Sequence, residues 1–259
     1  MEINKIYCEN NLDTMKRMPD NFIDLTVTSP PYDDLRDYKG YSFDFEAIAR
    51  ELYRVTKQGG VVVWVVGDAT INGSESGTSF KQALHFKEIG FNLHDTMIYQ
   101  KQNPIPLNHN RYEQQFEYMF VLSKGKPNIF NGIEQLCVTQ GLYNQIRNTG
   151  RVPEAATRNR DDVTQVKTTK YLYNIWSYSI GTTGDTGDHP APFPERLAYD
   201  HIISWSNEGD LVYDPFMGSG TTAKAAIASN RNYIGSEISA EYCEIIEKRL
   251  YPLKNNLFS

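Results

Sequence analysis

Leu211-Val212-Tyr213-Asp214-Pro215-Phe216-Met217-Gly218-Ser219-Gly220-Thr221-Thr222 runs without a break into the alanine-rich stretch Ala223 to Ser229. Three β-prone residues end in an acid and a proline, two glycines permit a tight turn, and small residues follow at helical density. The reading is strand, turn, helix. Tyr233-Ile234-Gly235 then supplies a second strand, ending at Ser236-Glu237. A carboxylate therefore stands about 20 residues beyond the turn, at the end of the next strand. This is the layout of an adenosine-type cofactor site. Gly218 and Gly220 let the backbone approach a ligand with no Cβ in the way, and Glu237 is placed to accept both ribose hydroxyl protons.

The same stretch excludes two common ligands. Gly-x-x-x-x-Gly-Lys-Ser/Thr is absent, so no ATPase-type phosphate cradle is indicated. Thr221 to Ala226 offers no third glycine, so the dinucleotide spacing fails as well. Asp214 puts a carboxylate where a pyrophosphate would need neutral or positive surroundings. A cationic ligand suits it better, and S-adenosylmethionine, with its ammonium and sulfonium, fits electrostatically.

Working outward, the rest of the chain alternates strand and helix. Lys5 to Cys8 reads as a short strand, Asn10 to Met18 as a turn and brief helix, and Phe22 to Thr28 as a strand. Phe45, Ile48, Ala49, Leu52 and Val55 form a helical stripe with Asp44 placed to cap it. Lys57-Gln58-Gly59-Gly60 ends that helix. Val61 to Val66 is a continuous apolar run, typical of a strand buried on both faces in a parallel sheet. Gly67 to Gly77 reads as a polar loop, Thr78 to Ile89 as a helix, and Thr96 to Gln100 and Tyr118 to Leu122 as strands joined through Asn103 to Pro106. Glu195 to Trp205 predicts a helix with Ala198, Ile202 and Trp205 facing inward, and Ala240 to Leu250 a last helix carrying Tyr242, Ile245, Ile246 and Arg249 on one face. The class is α/β.

One strand ends in an unusual way. Asp24-Leu25-Thr26-Val27-Thr28 is cut off by Ser29-Pro30-Pro31-Tyr32. The second proline keeps Pro30 out of the helical region, so the backbone stays extended and stiff. Ser29 would stand at the carboxyl end of the strand beside the ring of Tyr32. Hydrogen-bond acceptors next to a flat ring make a seat for a planar, amino-bearing ligand such as a nucleobase; a stiff turn with a packed tyrosine is the plainer reading. Asp33 to Ser42, charged and aperiodic, is either a flap beside this site or an ordinary surface loop.

Length and composition bound these readings. The 259 residues, 40% hydrophobic and 22% charged, suit one large α/β domain with an insertion. Val61 to Val66 is far short of a membrane span, and no N-terminal segment resembles a signal peptide, so the cytoplasm is expected. Cys8, Cys137 and Cys243 are widely spaced without a CxxC pair, which predicts reduced, buried thiols and no metal site. The net charge is −6, yet Gln145 to Lys170 holds six basic residues against three acidic ones, a local balance of +3 on a body of −9. Arg147, Arg151, Arg158, Arg160, Lys167 and Lys170 form that segment, able to bind phosphates locally while the remainder repels them. Ser123 to Asp188 as a whole is poor in aliphatics and rich in Asn, Gln, Thr, Gly and Arg, with weak strands such as Tyr171 to Ser179. It reads as an inserted module. The expected division is 1–122, 123–188 and 189–259, the first and last being halves of one domain.

Taken together, these motifs resemble a known family. Thr28-Ser29-Pro30-Pro31-Tyr32 resembles the catalytic motif of amino-directed DNA methyltransferases, and Asp214 to Thr222 resembles their S-adenosylmethionine motif. His189-Pro190-Ala191-Pro192-Phe193-Pro194-Glu195 is similar to the segment that precedes it, near the methionine end of the cofactor. Catalytic motif first and cofactor motif late resembles the β-class order. The resemblance implies an open, mostly parallel Rossmann-like sheet with helices on both faces, in which both motifs end neighbouring strands where the strand order reverses. It implies S-adenosyl-L-methionine held by Asn10, Thr28, His189, Asp214, Phe216, Gly218, Gly220, Thr221 and Glu237. Asn10 departs from the acid usual at its position, though its carbonyl could still accept an adenine amino proton. Residues 123–188 would be the target-recognition region, with Arg147, Arg151, Arg158, Arg160 and Lys167 positioning phosphates.

The implied chemistry is methyl transfer to an exocyclic amino group in double-stranded DNA. The base must be flipped out of the duplex. Ser29 Oγ and the Pro30 carbonyl would accept the two amino protons, Pro31 would stiffen the segment and Tyr32 would stack on the base. Serine at position 29 favours cytosine N4 over adenine N6 by the family's tendency. An RNA or protein methyltransferase and a non-catalytic DNA-binding module are the rival classes. The resemblance leaves open a cognate restriction endonuclease acting on the same site and a homodimer, and gives no membrane partner.

Overall fold

The computed structural model describes residues 1–31, 43–103, 111–137, 168–179 and 194–256. In chain order the elements begin with β1 (Lys5–Tyr7), α1 (Asn11–Lys16), β2 (Ile23–Thr28), α2 (Phe45–Val55) and β3 (Thr56–Val66). A small hairpin of β4 (Thr70–Ile71) and β5 (Ser74–Glu75) precedes α3 (Thr78–Glu88), β6 (Asn92–Lys101) and β7 (Phe116–Ser123). Next come β8 (Glu134–Leu136), β9 (Thr169–Tyr171) and β10 (Ile175–Tyr178). The chain closes with α4 (Glu195–Trp205), β11 (Leu211–Asp214), α5 (Thr221–Ala228), β12 (Asn232–Ser236) and α6 (Ala240–Asn256).

Eight strands form one sheet in the order β1-β12-β11-β2-β3-β7-β6-β10. Every neighbouring pair is parallel except the two that β7 makes, with β3 and β6. β3 is buried from Val61 to Val66 as the apolar run requires, but it has a parallel neighbour on one side and an antiparallel one on the other. Burial on both faces reports covering helices rather than strand direction.

The two faces are covered by different helices. Met15 of α1, Ile48, Leu52 and Val55 of α2, and Phe86 of α3 share one core with Val62, Trp64, Val66, Phe120, Tyr213 and Ile234. Alternate residues of the same strands, Val61, Val63, Val65, Val121 and Val212, are buried on the opposite face. There α4 packs on β2 and α5 on β11, with Leu197, Ala198, Ile202 and Ala225 buried. Asp44 caps α2 by accepting from the Ala47 N–H at 3.1 Å, as its position predicted.

Gly59-Gly60 does not break the chain into helix, turn and strand. It lies inside β3 as an irregularity, since Ile23 pairs with Thr56 whereas Leu25 pairs with Val61. Gly59 has φ +79°, and a Cβ on Gly60 would meet the Asp24 carbonyl oxygen at 2.9 Å, so the backbone itself crowds this bulge. The stretch from Tyr171 to Ser179 is likewise two strands: β9 pairs with β8, whereas β10 extends the main sheet beside β6. Two compact units result, residues 1–131 with 174–259, and residues 132–173. The second unit thus falls inside the 123–188 segment and is shorter at both ends.

The cysteines correct the sequence reading. Cys8 and Cys243 are joined in a disulfide with Cα atoms 6.1 Å apart, and neither is buried; Cys137 is a half-buried free thiol. Separation by 235 residues hid the pairing. Parallel pairing of β1 with β12 brings it about, because Tyr7 lies opposite Ser236 and the Glu237 N–H donates to the Tyr7 carbonyl at 3.0 Å. Among the described residues no helix is long and apolar enough to cross a membrane.

Candidate active site

β2 and β11 lie side by side, Leu25 opposite Val212 and Thr26 opposite Tyr213. From β2 the chain continues towards β3, and from β11 towards β12 on the other side, so the strand order reverses between them. Ligands bind at such a point, outside the carboxyl ends of the strands. Ser29 and Asp214, from the two ends of the sequence, are brought to this one place.

Asp214 is the centre of the arrangement. It is 1% exposed. Its Oδ1 accepts from Thr28 Oγ1 at 2.6 Å and from the Phe216 N–H at 2.9 Å, and its Oδ2 accepts from Thr222 Oγ1 at 2.7 Å. Burial pushes the carboxyl up to about 6, against the pull of these three donors. The carboxylate therefore binds within the fold; it reaches the space above only through its field.

The turn after it is shaped by its own backbone. Gly218 and Gly220 have φ of +53° and +87°, the left-handed region that glycine enters without strain. Met217 N–H donates to the Ser236 carbonyl at 2.9 Å and Gly220 N–H to the Met217 carbonyl at 2.8 Å, which anchors the turn to β12. Glu237 stands beyond that strand and accepts from the Gly218 N–H at Oε2 and from the Ser239 N–H at Oε1, both at 2.8 Å. Burial raises its carboxyl, while these backbone donors lower it. A carboxylate offers about four acceptor positions, so Glu237 keeps capacity for a diol after these bonds. That acceptor pair fits the two hydroxyls of a ribose.

Ser29 and Pro31 are half-buried and Pro30 is buried. Phe216 is half-buried, its ring 5.5 Å from Phe43 and 6.3 Å from Trp64. Thr221 opens α5 and is buried. Asn10 is exposed and caps α1, its carbonyl accepting from the Leu12 N–H at 2.9 Å. Tyr32, His189, Arg147, Arg151, Arg158, Arg160 and Lys167 lie outside the described residues, as do Asp33 to Ser42 and Pro104 to Pro106.

The family model described as DNA methylase matches residues 23–248. The chain belongs to this DNA methylase family. Among its relatives is the orphan methyltransferase M.BamHII of Bacillus amyloliquefaciens, 57% identical over 236 residues that cover 88% of each chain. The type II methyltransferase M.MthZI of Methanothermobacter thermautotrophicus is 27% identical, covering 95% of this chain and 76% of its own. Among solved structures, the fold matches PvuII DNA methyltransferase (cytosine-N4-specific) at 20% identity with a TM-score of 0.69, over 98% of this chain and 92% of that one. It also matches a putative DNA modification methylase from Thermus thermophilus complexed with S-adenosyl-L-methionine, at 24% identity and a TM-score of 0.66, over 96% and 94% of the two chains.

Two residues of this DNA methylase escaped the sequence reading as parts of the site, and a third, Thr222, was read only as the end of the cofactor motif. Arg249 is buried on α6 and donates to the Ser219 carbonyl at 3.0 Å, with Thr221 Oγ1 at 3.3 Å. Asn11 donates from Nδ2 to the Pro215 carbonyl at 3.1 Å. Thr222 completes the Asp214 bridge. Arg249 carried a faint signal, a lone cation on the apolar stripe of Ile246 and Leu250. Asn11 carried none.

Proposed function

We propose that this DNA methyltransferase moves a methyl group from S-adenosyl-L-methionine to the exocyclic N4 of a cytosine flipped out of double-stranded DNA. The observation that carries the reading is the union of the Thr28-Ser29-Pro30-Pro31 segment with the glycine turn, through the 2.6 Å bond from Thr28 to Asp214. Glu237 would hold the ribose, the Gly218 to Gly220 backbone would lie against the cofactor, and Asn10 would face the adenine. When bound, the cofactor supplies an electrophilic methyl on a sulfonium.

An exocyclic amino nitrogen is a poor nucleophile because its lone pair is delocalised into the ring. Ser29 Oγ and the Pro30 carbonyl accept hydrogen bonds from its two N–H groups and turn the lone pair towards the methyl, while Tyr32 stacks on the flipped base. Most of the acceleration comes from alignment. Residues 123–188 position and read the duplex, with Arg147, Arg151, Arg158, Arg160 and Lys167 on phosphates. Support for cytosine is Ser29 itself.

The test is to methylate mixed duplex DNA with labelled cofactor, digest it, and weigh the modified nucleoside. N4-methylcytosine is expected, and Ser29→Ala should abolish transfer while leaving cofactor affinity intact. N6-methyladenine would overturn the choice of base. Label found only in RNA or peptide, with none in duplex DNA, would overturn the reading itself.

A further inference from the structure

We propose that the buried Thr28–Asp214–Thr222 bridge is a positioning device for methyl transfer, fixing Ser29 against the glycine turn without itself touching base or cofactor. This rests on the methyltransferase reading above. One carboxylate joins four pieces of the site: the end of β2 through Thr28, the end of β11 on which it stands, the turn through the Phe216 N–H, and the start of α5 through Thr222. Thr28, Asp214 and Thr222 are each 1% exposed or less, so the bonds form away from solvent.

Backbone pairing alone leaves this junction weakly specified. The ladder between β11 and β2 has two register pairs, Leu25 with Val212 and Thr26 with Tyr213, and both lie below the site. Above them the Thr28 hydroxyl carries the join. Thr222 Oγ1 also lies 3.2 Å from the Val27 carbonyl, so α5 meets β2 as well as the carboxylate. Its single proton favours the carboxylate, at 2.7 Å. Ser29 is the next residue after Thr28, and the glycine turn begins four residues after Asp214. A displacement of Thr28 therefore reaches Ser29 across one peptide unit. Misplacement of reacting groups by about 1 Å can cost roughly 100-fold in rate.

The bridge is tested by substitutions that change the hydroxyl and little else. Thr28→Val keeps the shape and removes the donor; Thr28→Ser keeps the donor and removes a methyl. The single-turnover rate of methyl transfer to duplex DNA, the cofactor Kd by calorimetry and the melting temperature are measured for each. Thr28→Val should lose about 10- to 100-fold in single-turnover rate with cofactor Kd within about threefold of wild type. Thr28→Ser should recover most of that loss. Thr222→Val should lose rate in the same way, and the Thr28→Val/Thr222→Val pair should lose less than the product of the two, because both act through Asp214. Should Thr28→Val not fold, Thr222→Val against Thr222→Ser gives the same readout. A Thr28→Val enzyme as fast as wild type, equal losses in the Val and Ser variants, or a loss confined to cofactor affinity would overturn the proposal. Wild-type protein that transfers no methyl to DNA would instead sink the functional reading.

Discussion

The Asp214 carboxyl is held at about 6, against an ordinary 3.8, because burial outweighs three hydrogen bonds to it. The folded chain therefore keeps a proton at this site over a range of pH in which the unfolded chain has released it. Its contribution to stability is full below pH 3.8 and is lost as pH rises through 6. A gap of about 2 units corresponds to about 3 kcal/mol, of which about 1.4 kcal/mol falls between pH 5 and pH 7.5. Asp214→Asn removes the titration at nearly constant size. Its carbonyl still accepts from Thr28 and Phe216, and its amide donates to Thr222, whose hydroxyl turns to the Val27 carbonyl. Urea unfolding of both proteins at pH 5, 6 and 7.5 measures the difference. From pH 5 to pH 7.5 the wild type should lose about 1.4 kcal/mol relative to the variant, whatever the offset between them at any one pH. Parallel curves would show that ionisation of Asp214 is not linked to folding, and the account of a charge held at the centre of the site would fail.

Three further outcomes are expected. His201 is fully buried beside Met119 and Trp176, and burial lowers its imidazole to about 3. Its contribution is thus present above pH 6.5 and lost as pH falls, by about 2 kcal/mol between pH 7.5 and pH 5. His201→Phe should flatten that part of the unfolding series, and an unchanged slope would refute it. Reduction of Cys8–Cys243 should lower the unfolding free energy by about 2–4 kcal/mol and leave a Cys8→Ser/Cys243→Ser protein indifferent to reductant; a thiol count of three in the untreated protein would show that the bond does not form. Glu237→Gln should weaken cofactor binding by roughly 10- to 100-fold in calorimetry, the worth of charge-assisted hydrogen bonds. Undiminished affinity would remove Glu237 from the cofactor site.

Legibility followed the range of the forces involved. The helical stripe from Phe45 to Val55, the apolar run from Val61 to Val66 and the strand-turn-helix around Gly218 are set by neighbours in sequence, and they could be read there. What could not be read depends on strand order. Cys8 meets Cys243 only because β1 pairs with β12, and Arg249 reaches the Ser219 carbonyl only because α6 packs over the turn. Asp214 shows the limit most clearly. Its position before the glycine turn marked it as a site residue, and electrostatics suggested an open carboxylate for a cation. Its partners Thr28 and Thr222 lie 186 and 8 residues away, and only the fold reveals that they occupy its oxygens.

The join between β2 and β11 has a physical requirement of its own. A one-residue slip in a parallel pair moves every side chain to the other face and shifts the strand by about 3.3 Å. Such a slip would carry Ser29 off the glycine turn and bury it or expose it wrongly. Two residue pairs are a short ladder for excluding that error; the alternation of Leu25 and Val27 with Thr26 and Thr28 along β2 opposes it, since a slip would exchange apolar for hydroxyl side chains. Carboxylates add to this at both ends. At the amino end Asp24 Oδ2 accepts from the Leu211 N–H at 3.0 Å while its carboxylate pairs with Lys57 at 2.7 Å; at the carboxyl end Asp214 accepts from Thr28. Each strand supplies one carboxylate and the other strand one donor, so a slip in either direction would break both bonds. It would leave Asp214 buried without the Thr28 donor, where the loss of a charged hydrogen bond costs about 1–3 kcal/mol or more. Register here is enforced by polar groups at both ends in addition to the side-chain alternation between them, and the serine that marks the site stands one residue beyond the last of those bonds.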